Sequence, residues 1–146
     1  HFRTTSDTEV ILNLFADRGV AMLQDLRGMF AIALWDNYEN KLLLARDPYG
    51  IKPLFYSDDG STLRVASQVK ALLAGGNISR KQEPAGLVGF YLFGSVPEPF
   101  TLYESIRAVP ASSYMYVTAK GPSEPMAYFS IPETLSHAEH LTEKLK

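Results

Sequence analysis

Length and charge restrict what this chain can be. It has 146 residues, 46% of them hydrophobic and 12% aromatic, which suits one globular core. With 14 Lys and Arg against 16 Asp and Glu, the net charge of -2 provides no basic field, so we expect no nucleic-acid partner. The sequence has no cysteine, which excludes disulfides, thiolate metal sites and a thiol nucleophile within these residues. Its apolar runs are shorter than the roughly 20 residues of a membrane-spanning helix, so we expect no membrane segment.

The first predicted element is a helix that begins near Ser6. There the sequence reads Ser-Asp-Thr-Glu, which is the capping-box pattern. The apolar residues that follow at helical spacing are Val10, Ile11, Leu14 and Phe15. Gly19 is predicted to end the helix, and a shorter helical turn carrying Leu23 and Leu26 is predicted before Gly28.

A β-hairpin is predicted next. Every residue from Met29 to Trp35 is apolar, with bulky side chains alternating with alanines, which is typical of a strand buried on both faces. The turn-rich residues 36–40 follow, so residues 41–45 are predicted to return as the antiparallel partner strand.

The remaining predicted elements mix strands and helices. The predicted strands are 54–57, 63–67, 113–118 and 126–129, and the predicted helices are 68–73 and 84–93. This order indicates an α+β fold with mainly antiparallel sheets. Because the pattern changes beyond Pro132, residues 1–131 are predicted to form one domain and residues 132–146 a linker that begins another.

Two segments, residues 26–36 and 43–56, resemble the glutaminase domain of class II glutamine amidotransferases. The later segment, residues 93–110, favours the asparagine synthetases within that class. The resemblance implies an N-terminal-nucleophile fold, two sheets layered with helices, of which we expect this chain to be the carboxy-terminal part. Gln68 departs from the acidic residue expected there, which leaves any ion pair at that position in doubt.

The resemblance also implies a two-step chemistry. An N-terminal cysteine hydrolyses glutamine, and ammonia passes to a synthetase domain where ATP and magnesium have activated aspartate as an adenylate. The nucleophile, the oxyanion-hole residues and the arginine for the substrate carboxylate are expected upstream of His1. We therefore expect no catalytic residue, cofactor or metal within these residues, and no activity from them alone. The parent enzyme is expected to be cytoplasmic.

One substrate contact is implied within the chain, at Asp7. Its carboxylate stands where the family binds the α-ammonium group of glutamine, a contact that would select free glutamine over peptide-bound glutamine. The alternative is that Asp7 only complements the dipole of the predicted helix, worth about 0.3 to 1 kcal/mol. The family context favours the substrate contact.

Other polar motifs are interpreted as structural. Arg46 and Asp47 are predicted to satisfy the polar groups of a strand connection. His137 and His140 lie three residues apart on a possible helix, a spacing that can bind a metal ion. No third metal ligand is near in sequence, so the two histidines are interpreted as part of a solvated face. The aromatic residues expected in the core, or against a neighbouring domain, are Phe90, Tyr91, Phe93, Phe100 and Tyr103.

Two hypotheses remain open. In the first, the chain is an inactive part of an asparagine synthetase glutaminase domain. In the second, it is a stand-alone binding or interaction module without catalytic activity. Loss of the family's first strands would expose apolar faces such as 29–35, so the first hypothesis predicts self-association.

Overall fold

The computed structural model describes residues 2–132 and 134–136, and it combines helices with two antiparallel sheets. The helices are α1 (Asp7–Arg18), a 3-10 helix (Gly19–Gln24), α2 (Val69–Ala74) and α3 (Pro84–Phe93). The longer strands are β1 (Ala31–Asp36), β2 (Lys41–Arg46), β3 (Phe55–Asp58), β4 (Leu63–Ala66) and β6 (Ser113–Thr118). Three two-residue strands are β5 (Arg107–Ala108), β7 (Gly121–Pro122) and β8 (Met126–Ala127). In the described part, no helix is long and apolar enough to cross a membrane.

The first sheet has the order β1-β2-β6-β7, with β8 also paired to β6. Leu34 faces Leu43 across the hairpin, and Leu44 faces Met115 in the next pair of strands. The second sheet has the order β4-β3-β5. Within the described residues β1 pairs only with β2, so its other edge is open.

Two hydrophobic clusters cover opposite faces of the first sheet. On one face, Ile32 and Leu34 belong to a buried cluster against which α1 packs its partly buried apolar residues. On the other face, Leu44 and Met115 pack with apolar residues of the second sheet, including Tyr56. The layers are therefore helix, sheet and sheet, and the predicted α+β class is confirmed.

Most predicted elements are confirmed within a residue or two, including the caps of α1. The Ser6 hydroxyl accepts a hydrogen bond from the Thr8 N–H at 3.2 Å, and Gly19 follows the last helical residue with φ of 57°. The second hydrogen bond of the predicted capping box is absent, because the Glu9 carboxylate does not accept a hydrogen bond from the Ser6 N–H. Its carboxylate instead accepts from the N–H groups of Arg3 and Thr4, at 2.7 Å each.

The prediction that the first strand is buried on both faces is wrong for the described residues. The Ile32 and Leu34 side chains are buried, whereas Ala31, Ala33 and Trp35 on the other face are exposed, Trp35 by 55%. The reason is that the second sheet packs on the central strands of the first sheet and does not cover β1.

The remaining predictions have mixed outcomes. The aromatic residues of α3 were expected in a core or against a neighbouring domain, and in this chain Phe90, Tyr91 and Phe93 are exposed. The domain boundary near residue 132 stays a prediction. His137 and His140 lie outside the described residues.

Candidate functional site around Asp7

The start of α1 is held by a network of local hydrogen bonds. Ser6 caps the helix, and the Thr4 hydroxyl donates to the Glu9 carboxylate at 2.5 Å. These bonds to Glu9 lower its pKa, the bond from Thr4 most strongly. Asp7, the first helical residue, is therefore carried on a fixed backbone, and its side chain is exposed.

Asp7 lines a cleft of about 360 Å³ beside the start of β1. The residues around this cleft are Asp7, Thr8 and Ile11 of α1, Met29 to Ile32, and Lys52, Pro53 and Ser67. The Asp7 carboxylate forms no hydrogen bond or ion pair with any other described residue. An unpaired carboxylate at the mouth of a cleft is available to accept hydrogen bonds from a bound cation.

A second, smaller cleft of about 210 Å³ also has Asp7 on its wall, together with Arg27, Gly28 and Met29. Gly28 has a φ of 130°, which side chains rarely allow, and a Cβ there would meet no atom within 4 Å. The glycine is thus required by the backbone turn and not by crowding. This turn directs the chain past Asp7 into β1.

Asp47 fixes the segment that carries Lys52 to the wall of the 360 Å³ cleft. This fully buried carboxylate accepts hydrogen bonds from the N–H groups of Tyr49, Ile51 and Lys52, at 3.1, 3.0 and 2.9 Å. Burial raises the pKa of Asp47, but the N–H donors outweigh it, so the pKa lies below its usual value. The Asp47 N–H also donates to Phe30 O at 2.9 Å. Asp47 therefore joins the two chain segments that border the cleft, which supports its interpretation as scaffold.

Sequence reasoning singled out Asp7 at this site and missed Lys52 and Ser67. Both are exposed, and both reach the cleft only because the sheet brings distant parts of the chain together. No local motif marks them. The lining residues can bind and orient a polar ligand, but they provide no thiol, since the sequence contains no cysteine.

Comparison with known proteins identifies the kind of domain to which this cleft belongs. The sequence profile of the glutamine amidotransferase domain matches residues 1–129. The chain belongs to the glutamine amidotransferase domain family. The resemblance noted in the sequence is thereby confirmed.

Several relatives with this domain are asparagine synthetases. The glutamine-hydrolysing asparagine synthetase 2 of Bacillus subtilis is 48% identical over 73 residues, which are 50% of this chain and 10% of that protein. A putative asparagine synthetase of Mycobacterium tuberculosis is 34% identical over 134 residues, 90% of this chain and 21% of that protein. The chain thus spans about a tenth to a fifth of the length of these relatives.

The fold also matches a solved amidotransferase. The glutamine phosphoribosylpyrophosphate amidotransferase of Bacillus subtilis, solved with ADP and GMP, aligns with a TM-score of 0.58. The match is 23% identical in sequence and covers 88% of this chain and 24% of that chain. This similarity confirms the expected N-terminal-nucleophile class of fold.

Proposed function

We propose that the chain is the glutamine-binding part of the glutaminase domain of an asparagine synthetase. The observation that carries the proposal is the Asp7 carboxylate, exposed and unpaired among the described residues, on a cleft of a domain that belongs to the glutamine amidotransferase family. The relatives' names support asparagine synthesis as the parent activity.

Asp7 binds the α-ammonium group of glutamine in this proposal. A carboxylate facing an ammonium forms a charge-assisted hydrogen bond, roughly twice as strong as a neutral one. Peptide-bound glutamine has no free α-ammonium group, so the contact selects the free amino acid. The fixed start of α1 holds the carboxylate in place before the substrate arrives.

Hydrolysis requires a thiol from outside these residues. In the proposed reaction, a cysteine thiolate attacks the side-chain amide carbon of glutamine, ammonia leaves, and water then releases glutamate. The 146 residues contain no cysteine, so we propose that they do not hydrolyse glutamine alone. The open edge of β1 and its exposed Trp35 support the proposal that these residues are only part of a glutaminase domain, because further strands of the parent would cover both.

Amide formation belongs to a separate synthetase domain in this proposal. There the ammonia released from glutamine reacts with aspartyl-adenylate to give asparagine. No cluster of acidic and histidine side chains that could hold a metal ion occurs among the described residues. The sequence also lacks the Ser-Gly-Gly-x-Asp-Ser phosphate loop of the synthetase domain. We therefore assign both groups to the synthetase domain.

The test compares two nitrogen sources in the full-length gene product. Asp7→Asn is expected to raise the KM for glutamine at least tenfold and to leave amide formation from added ammonia unchanged. Asp17→Asn is the matched control, because Asp17 is an exposed carboxylate on the same helix that pairs only with Arg18 among the described residues. Equal glutamine kinetics in the two variants would contradict the proposal.

A further inference from the structure

Glu98 is an exposed residue whose hydrogen-bond partners lie further inside the domain. It follows α3 in the chain and does not line the Asp7 cleft. Glu98 Oε1 accepts a hydrogen bond from Arg46 Nη1 at 2.5 Å, and Oε2 accepts one from the Ala111 N–H at 3.1 Å. The Arg46 side chain is 8% exposed and that of Glu98 is 39% exposed. Glu98 is therefore a surface carboxylate that holds a nearly buried guanidinium.

The other nitrogens of this guanidinium hold the turn between β2 and β3. Arg46 Nη2 donates to Gly50 O at 2.6 Å, and Nε donates to Lys52 O at 2.9 Å. Gly50 has a φ of 63°, and a Cβ there would lie 3.0 Å from Arg46 Nη2. The turn is closed directly against the guanidinium, so its conformation depends on where Arg46 is held.

A carboxylate at position 98 is needed to keep Arg46 in this orientation. Among the described residues, Glu98 is the only acidic side chain that forms an ion pair with Arg46, and its other acceptors are neutral carbonyl groups. A nearly buried cation that has lost its paired anion is costly, whereas the same cation in water is not. Without the charge of Glu98, the guanidinium is expected to turn towards solvent and to release Gly50 and Lys52.

The turn determines where one charged side chain of the Asp7 cleft stands. Lys52 lines that cleft, and its ammonium forms no hydrogen bond or ion pair with another described residue. Only the backbone of Lys52 is held, through its N–H to Asp47 Oδ2 at 2.9 Å and through its carbonyl oxygen to Arg46. The separation between the Asp7 carboxylate and the Lys52 ammonium therefore depends on the turn. A zwitterionic amino acid binds most tightly where the charges that face it already stand at a fixed separation.

We propose that Glu98 is a positioning residue for glutamine binding in the Asp7 cleft, acting through Arg46 on the turn that carries Lys52. This rests on the proposed function, because it concerns the same cleft. Glu98 does not touch the substrate, and it lowers the cost of ordering the wall of the cleft when glutamine binds. Amide formation from added ammonia needs the folded protein but not this cleft, so positioning can be separated from a purely structural role.

Steady-state kinetics of the full-length gene product test the proposal with two nitrogen sources. Glu98→Gln keeps the shape of the side chain and removes its charge. It is expected to raise the KM for glutamine about three- to tenfold and to leave amide formation from added ammonia unchanged. Glu83→Gln is the matched control, because Glu83 pairs with Arg107 Nη1 at 2.6 Å and neither residue lines the Asp7 cleft. The control is expected to keep the native KM for glutamine.

Hydrogen–deuterium exchange of the same variants tests the link to the turn without enzyme activity. The amide hydrogens of Ile51 and Lys52, which bond to Asp47, are expected to exchange at least about fivefold faster in Glu98→Gln. Those of β2 are expected to keep the native rate in both variants, because the fold is retained. Glu98→Asp, which keeps the charge on a shorter side chain, is the second variant and is expected to change both readouts in the same direction but less.

Three results would overturn the inference. An equal KM for glutamine in Glu98→Gln and Glu83→Gln would leave Glu98 with a structural role only. An equal loss of the ammonia-dependent and glutamine-dependent reactions in Glu98→Gln would place its effect outside the cleft. Native exchange rates in the turn of Glu98→Gln would show that Arg46 holds the turn without Glu98. Because the contact at Asp7 is tested by its own variant, failure here leaves the proposed function standing.

Discussion

The guanidinium of Arg46 donates a hydrogen bond from Nη1 to Glu98 Oε1 at 2.5 Å, across 52 positions of the sequence. The same guanidinium donates to the carbonyl oxygens of Gly50, Lys52 and Val109, at 2.6, 2.9 and 2.8 Å. One nearly buried side chain thus satisfies four acceptors on three separate segments. It fixes the turn that carries Lys52 to the wall of the Asp7 cleft.

Replacing Arg46 by methionine is expected to lower the free energy of unfolding by about 3 kcal/mol, because it leaves a carboxylate and three carbonyl groups without their donor. Urea denaturation followed by circular dichroism measures the change. The control is Arg18→Met, which removes only exposed pairs, with Asp17 at 3.3 Å and with Asp25 at 2.9 Å, and is expected to cost much less stability. Equal losses in both variants would contradict the structural role of Arg46.

Asp47 is expected to make the protein sensitive to acid. The pKa of Asp47 is lowered in the folded state, so its stabilisation is complete above the unfolded pKa of about 3.9 and is lost as the pH falls through the folded value. Asp47→Asn should therefore reduce the free energy of unfolding by about 1–3 kcal/mol at pH 7 and flatten its decline between about pH 5 and pH 2. Urea titrations across this range test it. A variant that keeps the native acid dependence would rule out Asp47 as its source.

Gly86→Ala should destabilise the protein although alanine favours helix. The propensity gain is about 1 kcal/mol, but the added Cβ clashes with the Thr101 carbonyl oxygen, and overpacking costs about 1–3 kcal/mol. A net loss of stability is expected, measured as a lower thermal midpoint. Val88→Ala on the exposed side of α3 is the control and should change stability by less than about 0.5 kcal/mol. A stabilised Gly86→Ala variant would show that the packing under α3 is looser than described.

Local sequence signals were enough to predict the main elements. Ser6 and Gly19 mark the ends of α1, and Pro84 and Gly94 mark those of α3, because caps depend on a few neighbouring residues. The short strands β5 and β7 were not predicted. They exist only through pairing with β3 and β6, and two residues carry no periodic pattern.

Tertiary cover was harder to predict than secondary structure. The apolar run 29–35 predicts a fully buried strand. Its burial, however, depends on whether the second sheet extends over β1, and the residues of the run carry no information about that. Asp7 was identified through the family resemblance, whereas Lys52 and Ser67 join it only through the folded sheet. The resemblance therefore singled out the candidate residue, and the fold supplied the rest of the wall of its cleft.

The central claim is the contact between the Asp7 carboxylate and the α-ammonium of glutamine, and a thermodynamic cycle measures it directly. Calorimetry of the full-length gene product, with its nucleophilic cysteine replaced by alanine so that glutamine is not hydrolysed, gives dissociation constants for L-glutamine and for its analogue without the α-amino group, with the native Asp7 and in Asp7→Asn. If the contact exists, the native protein prefers L-glutamine by about tenfold or more and the variant loses that preference, a coupling of at least about 1.4 kcal/mol. The same preference in both proteins would contradict the claim and leave Asp7 as a residue of the helix terminus.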